Sequence, residues 1–254
     1  MNIIKQNLRK AKYNNFEIVS IDDIYIIKDL ESNKFYKISK NEYSFENLHF
    51  EEIKSKVSPI AICVYGFIFI IFEIVNSLLL LNNFNLCGLN AQKFFFILII
   101  YFLLFVIVHE FGHVVMLKKF GGSINKIGFK FNYIFPSFFV RMNDLYFFNK
   151  REKILVHTNG LFLNLTVNTL IMLLGLMTRN IYLIAISKYM CIDIFYNTLP
   201  FLNSDGYKIL ITLFDSYELK SLSNSSLLIK IIKIIDFVFV VIYSILFINN
   251  MINV

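Results

Sequence analysis

The stretch that decides the fold is FFFILIIYFLLFVIVHEFGHVVML, residues 94–117, which is almost wholly apolar until His109, Glu110 and His113 interrupt it. Its length and composition match a membrane-crossing α-helix, which needs roughly 20 mostly apolar residues to span about 30 Å of hydrocarbon. A charged side chain at that depth costs about 2.5–3.5 kcal/mol on insertion scales, so ionisable residues there indicate a site with partners. The stretch therefore predicts a membrane helix that carries a functional centre.

The rest of the chain has the same apolar character. Of its 254 residues, 57% are hydrophobic and 29 are Phe, which is more than a soluble domain carries. Apolar runs long enough to span a bilayer occur at about 58–81, 94–117, 154–177, 181–202 and 229–250. We therefore predict an all-α polytopic membrane protein with about five transmembrane helices in residues 58–254, preceded by a small module in residues 1–57.

The basic residues are placed unevenly along the chain. Ten Lys or Arg residues precede the first predicted span and eight lie between the second and third, whereas the opposite loops hold only Lys93 and Arg179. By the positive-inside rule this predicts a multi-pass protein of the cell membrane with its N-terminus in the cytoplasm. The net charge of +7 is then explained by contact with anionic membrane lipid, and we expect no nucleic-acid partner.

Residues 1–57 predict a small α+β cytoplasmic module. The apolar runs 24–27 and 35–38 flank the turn-prone ESNK of residues 31–34, a pattern typical of a β-hairpin. Ser39 with Glu42 three residues later has the pattern of a capping box and predicts the start of a short helix. A unit of this size buries little core, so we expect it to lean on the membrane domain or a partner.

A second irregular segment, residues 120–147, follows the predicted helix 94–117. It contains KIGFKF (126–131) and SFFVRM (137–142), which are too short to span a membrane and favour strands. We predict a small membrane-associated β segment there. Two roles stay open: an edge strand that holds an extended peptide, or a re-entrant loop that only seals a cavity.

His109, Glu110 and His113 form the pattern of a zinc site. On a helix, two histidines four residues apart project from one face and can share a tetrahedral metal. Glu110 lies beside them, where it can take a proton from water at the metal without being a ligand. Polar residues satisfied inside a helix bundle are the alternative, but the cost of burying all three in lipid favours the metal.

A catalytic zinc has three protein ligands and an open position, so a third ligand must come from elsewhere. His49 lies in the N-terminal module and His157 falls near the start of the third span, where we interpret it as an interfacial residue. Asp205 in NTLPFLNSDGYKIL (197–210) is the better candidate, because Pro200 and Gly206 interrupt the chain there and the fourth span returns to the side of His113.

HEFGH on a membrane helix, a broken span with SDG, and the intervening NGLFLNL (159–165) resemble the site-two protease family of intramembrane zinc metalloproteases. The resemblance implies a core of three spanning helices and one Zn²⁺ per chain, held by His109, His113 and Asp205. It further implies that Glu110 is the general base and that Asn164 assists in the site. An interhelical hydrogen bond is an equally good explanation of Asn164. Two positions depart from the family pattern: Leu161 stands in place of a proline, and Ser204 in place of a hydrophobic residue.

Within that family, the segment after HEFGH and the NTLPFLNSDGYKIL stretch resemble the peptide zinc metalloproteases of bacterial peptide and bacteriocin maturation systems. The N-terminal module resembles a truncated form of the winged-helix module of that branch. These resemblances imply cleavage of a membrane-associated peptide or a single-pass membrane protein, with a peptide exporter as a further candidate partner. The alternative is a non-catalytic membrane component of a peptide export or immunity system.

Overall fold

Five α-helices dominate the structure, a computed structural model that describes residues 9–21, 24–43, 45, 48–81, 90–132, 135–200, 204–214, 227 and 229–238. The helices are α1 (Pro59–Leu81), α2 (Ala91–Lys119), α3 (Lys150–Thr178), α4 (Ile181–Thr198) and α5 (Asp205–Leu213). Helix α3 is central, because it contacts α1, α2, α4 and α5. The other four helices pack against α3.

Within the described residues, three helices are long and apolar enough to cross a membrane: Pro59–Leu78 within α1, Ala91–Lys119 and Lys150–Thr178. Large apolar side chains on α1 and α2 face outward, among them Phe67, Phe96 and Ile107, which are all more than half exposed. Such a surface is stable against lipid and not against water. The chain is therefore a membrane protein, as the sequence predicts.

The predicted spans 58–81, 94–117 and 154–177 are confirmed as helices; α1 matches its predicted span to within one residue, and α2 and α3 extend beyond theirs by a few residues. The predicted span 181–202 corresponds to α4, which ends at Thr198 and carries Lys188 and Asp193; it is not among the three membrane-length apolar helices. Residues 229–238 are helical, and the remainder of the predicted span 229–250 lies outside the described residues. A count of five spans stays a prediction.

The described part of the N-terminal module forms an antiparallel sheet of five strands in the order β4-β3-β2-β1-β5. The strands are β1 (Arg9–Tyr13), β2 (Phe16–Ile21), β3 (Ile24–Asp29), β4 (Phe35–Ser39) and β5 (Glu51–Glu52). Val19, Ile21 and Ile26 are buried on one face and pack against Phe147 of the membrane domain. The module thus completes its core with a side chain from outside itself.

The predicted hairpin is confirmed, since β3 and β4 pair from Ile24↔Ser39 to Lys28↔Phe35. The predicted short helix after Ser39 is wrong: residues 40–42 form a turn, in which the backbone N–H groups of Glu42 and Tyr43 donate to the Ser39 carbonyl. The Ser39 hydroxyl accepts from the N–H of Asn41, so it supports the turn and does not cap a helix. The described part of residues 9–58 contains strands and turns but no helix, and the winged-helix resemblance is not confirmed there.

The module is fixed to the segment between α2 and α3 and to the first turn of α3. Lys28 Nζ lies 2.5 Å from Asp144 Oδ1, and both side chains are largely buried. The other oxygen of Asp144 accepts from the N–H and hydroxyl of Ser123, at 2.7 Å each. Glu152 closes a capping box with Asn149 at the start of α3 and also accepts from the N–H of Lys56.

The predicted β segment after α2 is confirmed as a hairpin. Strands β6 (Lys126–Asn132) and β7 (Phe135–Arg141) pair antiparallel from Lys126↔Arg141 to Asn132↔Phe135. A 3-10 helix, Asn143–Phe147, then leads into α3. Among the described residues this sheet has two strands, so each strand pairs along one edge only.

Candidate metal centre

His109 and His113 on α2 meet as their spacing predicts. Their Nε2 atoms lie 3.1 Å apart and both rings point to the same side of the helix. His113 is buried, with 2% of its surface exposed, while His109 is partly exposed. The imidazole of His113 therefore lies in the protein interior, whereas that of His109 lies closer to the protein surface.

Asp205 completes the centre at the first position of α5. Its Oδ2 lies 2.7 Å from Nε2 of His109 and 2.9 Å from Nε2 of His113. These three residues form a group of potential metal ligands whose atoms all lie within 4.8 Å of one another. Two ligand atoms on a tetrahedral zinc, at about 2.0–2.1 Å from it, lie about 3.3 Å apart. The donors therefore need to separate by only a few tenths of an ångström to hold zinc.

The corner between α4 and α5 explains the SDG sequence. The Ser204 hydroxyl accepts from the N–H of Tyr207 and donates to the Leu199 carbonyl, so it both caps α5 and closes the corner. A Cβ on Gly206 would collide with the carbonyl group of Thr198, and only glycine fits there. The polar residue that departs from the family pattern at 204 is thus the helix cap.

Two glycines bring α2 and α3 together beside the histidines. A Cβ on Gly112 would come within 2.7 Å of the Asn159 carbonyl oxygen and 2.9 Å of the Gly160 Cα. Asn159 donates from Nδ2 to the Gly112 carbonyl at 2.7 Å and accepts from the Tyr65 hydroxyl at 2.9 Å. This contact ties α1, α2 and α3 at the level of the metal centre.

Each histidine has a second partner that fixes its ring. Nδ1 of His113 lies 2.7 Å from the carbonyl oxygen of Val156, to which it donates, so Nε2 is free to bind a metal. Nδ1 of His109 lies 3.3 Å from the side-chain amide of Asn164, whose Oδ1 has no hydrogen-bond partner in the described part of the chain. Rotation of this amide by 180° places Oδ1 where it can accept from Nδ1–H of His109.

The second carboxylate oxygen of Asp205, Oδ1, faces away from His109 and His113. Oδ1 lies 2.9 Å from Nζ of Lys208 and 3.9 Å from Nδ1 of His157. An ammonium group at hydrogen-bond distance favours the charged form of a buried carboxyl group. Asp205 is thus kept as a carboxylate, the form that binds a metal.

Three residues of this centre were missed or misread from the sequence. His157, which the sequence did not assign to the centre, is buried beside Asp205, two turns after α3 begins at Lys150; its depth in the membrane stays a prediction. Lys208 follows Asp205 by three residues, a helical spacing that could have indicated the contact. Apart from its place in NGLFLNL (159–165), nothing in the sequence indicated that Gly160 lies beside the centre.

Glu110 is half-buried, next to His109 on α2, and interacts electrostatically with Lys208. The centre thus contains two imidazoles and a carboxylate as potential ligands, with a second carboxylate nearby that is not part of the ligand group. Imidazole nitrogens and carboxylate oxygens are zinc ligands, and three of them leave one position open. This donor set fits a catalytic zinc.

Fold and site together define a membrane protein with a three-residue candidate metal centre between its helices. A curated relative, the "Putative peptide zinc metalloprotease protein YydH" of Bacillus subtilis, is 33% identical in an alignment of 237 residues that covers 89% of this chain and 91% of the relative. The chain belongs to the peptide zinc metalloprotease family. No family model and no solved structure matches it.

Proposed function

We propose that the protein is an intramembrane zinc metalloprotease of the site-two type, which cleaves a membrane-associated peptide or protein. The observation that carries the proposal is the convergence of His109, His113 and Asp205 between helices of membrane length. The name of the Bacillus relative supports a peptide as the substrate class. We propose one zinc ion per chain.

His109 and His113 would hold the metal through Nε2, and Asp205 through Oδ2. A bound zinc supplies a Lewis acid for the scissile carbonyl and lowers the pKa of water toward 7. Glu110 then accepts a proton from the attacking water and delivers it to the leaving amine. The Val156 carbonyl and Asn164 hold the two imidazoles in the orientation that this arrangement requires.

The depth of the site supports cleavage within the membrane. Lys118 and Lys119 at the end of α2 are exposed basic residues, typical of a membrane boundary on the cytoplasmic side. His109 precedes Lys118 by nine residues, which places it about 13 Å inside that boundary at 1.5 Å per residue. We propose that the N-terminal module and this end of α2 face the cytoplasm.

The β6–β7 hairpin is a candidate support for an extended substrate. A helical substrate hides its amide groups, and an unpaired strand edge offers replacement hydrogen bonds once the helix unwinds. The hairpin contacts α2 through β7 and exposes Ile127, Phe129 and Phe138, an apolar surface suited to a hydrophobic peptide. This supports strand addition over a loop that only seals the cavity.

We propose that the protein acts in bacterial peptide maturation or signalling, a role that the peptide in the name of the Bacillus relative supports. The test uses purified protein in detergent and a short peptide encoded by a neighbouring gene, co-expressed with it. Wild type should contain close to one zinc per chain and cleave the peptide, whereas Asp205→Ala should lose both properties. Absence of zinc from wild type would rule out the protease, and zinc without cleavage would favour the non-catalytic component of an export or immunity system.

A further inference from the structure

The two oxygens of the Asp205 carboxylate are used differently. Oδ2 faces both histidines, at 2.7 and 2.9 Å, while Oδ1 lies 2.9 Å from Nζ of Lys208. Asp205 is 3% exposed, whereas the side chain of Lys208 is 40% exposed, so the ammonium group covers Oδ1 from the side of the solvent. The carboxylate is therefore held so that a single oxygen is directed toward the ligand histidines.

This orientation matters for a metal centre that needs an open position. A carboxylate can bind a metal through one oxygen or through both, and the second mode uses an additional coordination position. A catalytic zinc needs a position for water or substrate beside its three protein ligands. A group that occupies Oδ1 therefore protects that position, although it never touches the metal.

We propose that Lys208 is a positioning residue that keeps Asp205 a one-oxygen ligand and so keeps the metal's open position accessible. Its ammonium group donates to Oδ1 over a helical i, i+3 spacing within α5, which holds both residues on one rigid element. The inference rests on the proposed function, because it requires that Asp205 bind a metal.

His157 strengthens the same arrangement from α3. Its Nδ1 lies 3.9 Å from Oδ1 and has no hydrogen-bond partner among the described residues. A movement of about 1 Å would bring it to hydrogen-bond distance of that oxygen. In the tautomer that carries its proton on Nδ1, His157 is thus a second donor directed at the oxygen that must stay away from the metal, while Lys208 contacts that oxygen directly.

The test uses Co²⁺ in place of zinc and imidazole as the probe of the open position. Imidazole is a neutral ligand, so loss of the lysine charge does not by itself weaken its binding. The Co²⁺ absorption spectrum reports its coordination. In the full-length protein, Lys208→Met should retain Co²⁺ but bind imidazole at least tenfold more weakly than wild type, because Asp205 can then turn both oxygens to the metal. Lys208→Arg should restore most of the imidazole affinity, and Lys119→Met, at an exposed lysine of α2, should match wild type.

The outcomes separate this inference from the proposed function. If wild type binds no metal, the proposed function fails. If wild type binds Co²⁺ and imidazole, and Lys208→Met gives the same spectrum and imidazole affinity, the inference alone fails. Complete loss of Co²⁺ from Lys208→Met, or failure of Lys208→Arg to restore imidazole binding, would also overturn it. Should Lys208→Met not fold, Lys208→Gln is judged by the same criteria, because it lacks the charge and the reach to Oδ1.

Discussion

Gly160 on α3 lies directly against the ring of His113 on α2. A Cβ added to Gly160 would come within 2.5 Å of Nε2 and 2.6 Å of Cε1 of that imidazole, and within 3.0 Å of the His109 carbonyl oxygen. The ring cannot move away freely, because its Nδ1 is held 2.7 Å from the Val156 carbonyl oxygen. The glycine therefore makes room for the buried histidine of the candidate metal centre.

Gly160→Ala should lower zinc affinity by at least tenfold, since the added methyl group occupies the space of the His113 ring. Competition with a chromogenic zinc chelator measures the change. Gly66→Ala is the matched control, because a Cβ there meets nothing within 4 Å and alanine is the better helix former. Wild-type zinc affinity in Gly160→Ala would contradict the close contact.

Asn164→Ala should weaken zinc binding by about 10–100-fold, the usual effect of removing a residue that orients a ligand histidine. The reason is that the side-chain amide of Asn164 lies 3.3 Å from Nδ1 of His109 and is its hydrogen-bond partner within the described residues. Asn168→Ala is the control, because Asn168 is equally buried but bonds to Asn76, Ser187 and Cys191 instead. It should lower thermal stability and leave zinc affinity intact. If Asn164→Ala and Asn168→Ala have equal zinc affinities, Asn164 forms only an ordinary interhelical hydrogen bond and does not orient His109.

Lys28→Met should loosen the N-terminal module, because it leaves one oxygen of the buried Asp144 without its 2.5 Å partner. We expect a loss of about 2–3 kcal/mol in the local opening free energy of β3, measured by hydrogen exchange of its backbone amides. Lys10→Met is the control, since Lys10 pairs with Glu17 in a more exposed position and should contribute less than about 1 kcal/mol. Equal losses in both variants would show that the Asp144 contact does not dock the module.

The parts of the centre that could be predicted from sequence are those set by short spacings and chain topology. The i, i+4 spacing places His109 and His113 on one helix face, and the interruption near Gly206 returns Asp205 to their side. The three longest apolar runs predict α1, α2 and α3 because bilayer thickness fixes their length.

The parts that could not be predicted depend on how helices cross. His157 reaches Asp205, and Gly160 reaches His113, only because α3 packs closely against α2 and α5. The spacing of residues within α3 does not determine how α3 crosses α2 and α5. The short helix after Ser39 was predicted wrongly for a different reason, because a serine that bonds to nearby backbone groups suits a turn as well as a helix cap.

The measurement that tests the central claim most directly compares Glu110→Gln with wild type for zinc content and for cleavage of the co-expressed peptide. Glu73→Gln, at a half-buried acid on α1, is the control for loss of a membrane carboxylate. Because Glu110 is proposed to move the proton and not to bind the metal, Glu110→Gln should keep about one zinc per chain and lose at least about 100-fold in cleavage rate. Glu73→Gln should keep both. Cleavage at the wild-type rate by zinc-loaded Glu110→Gln would contradict the proposed protease mechanism.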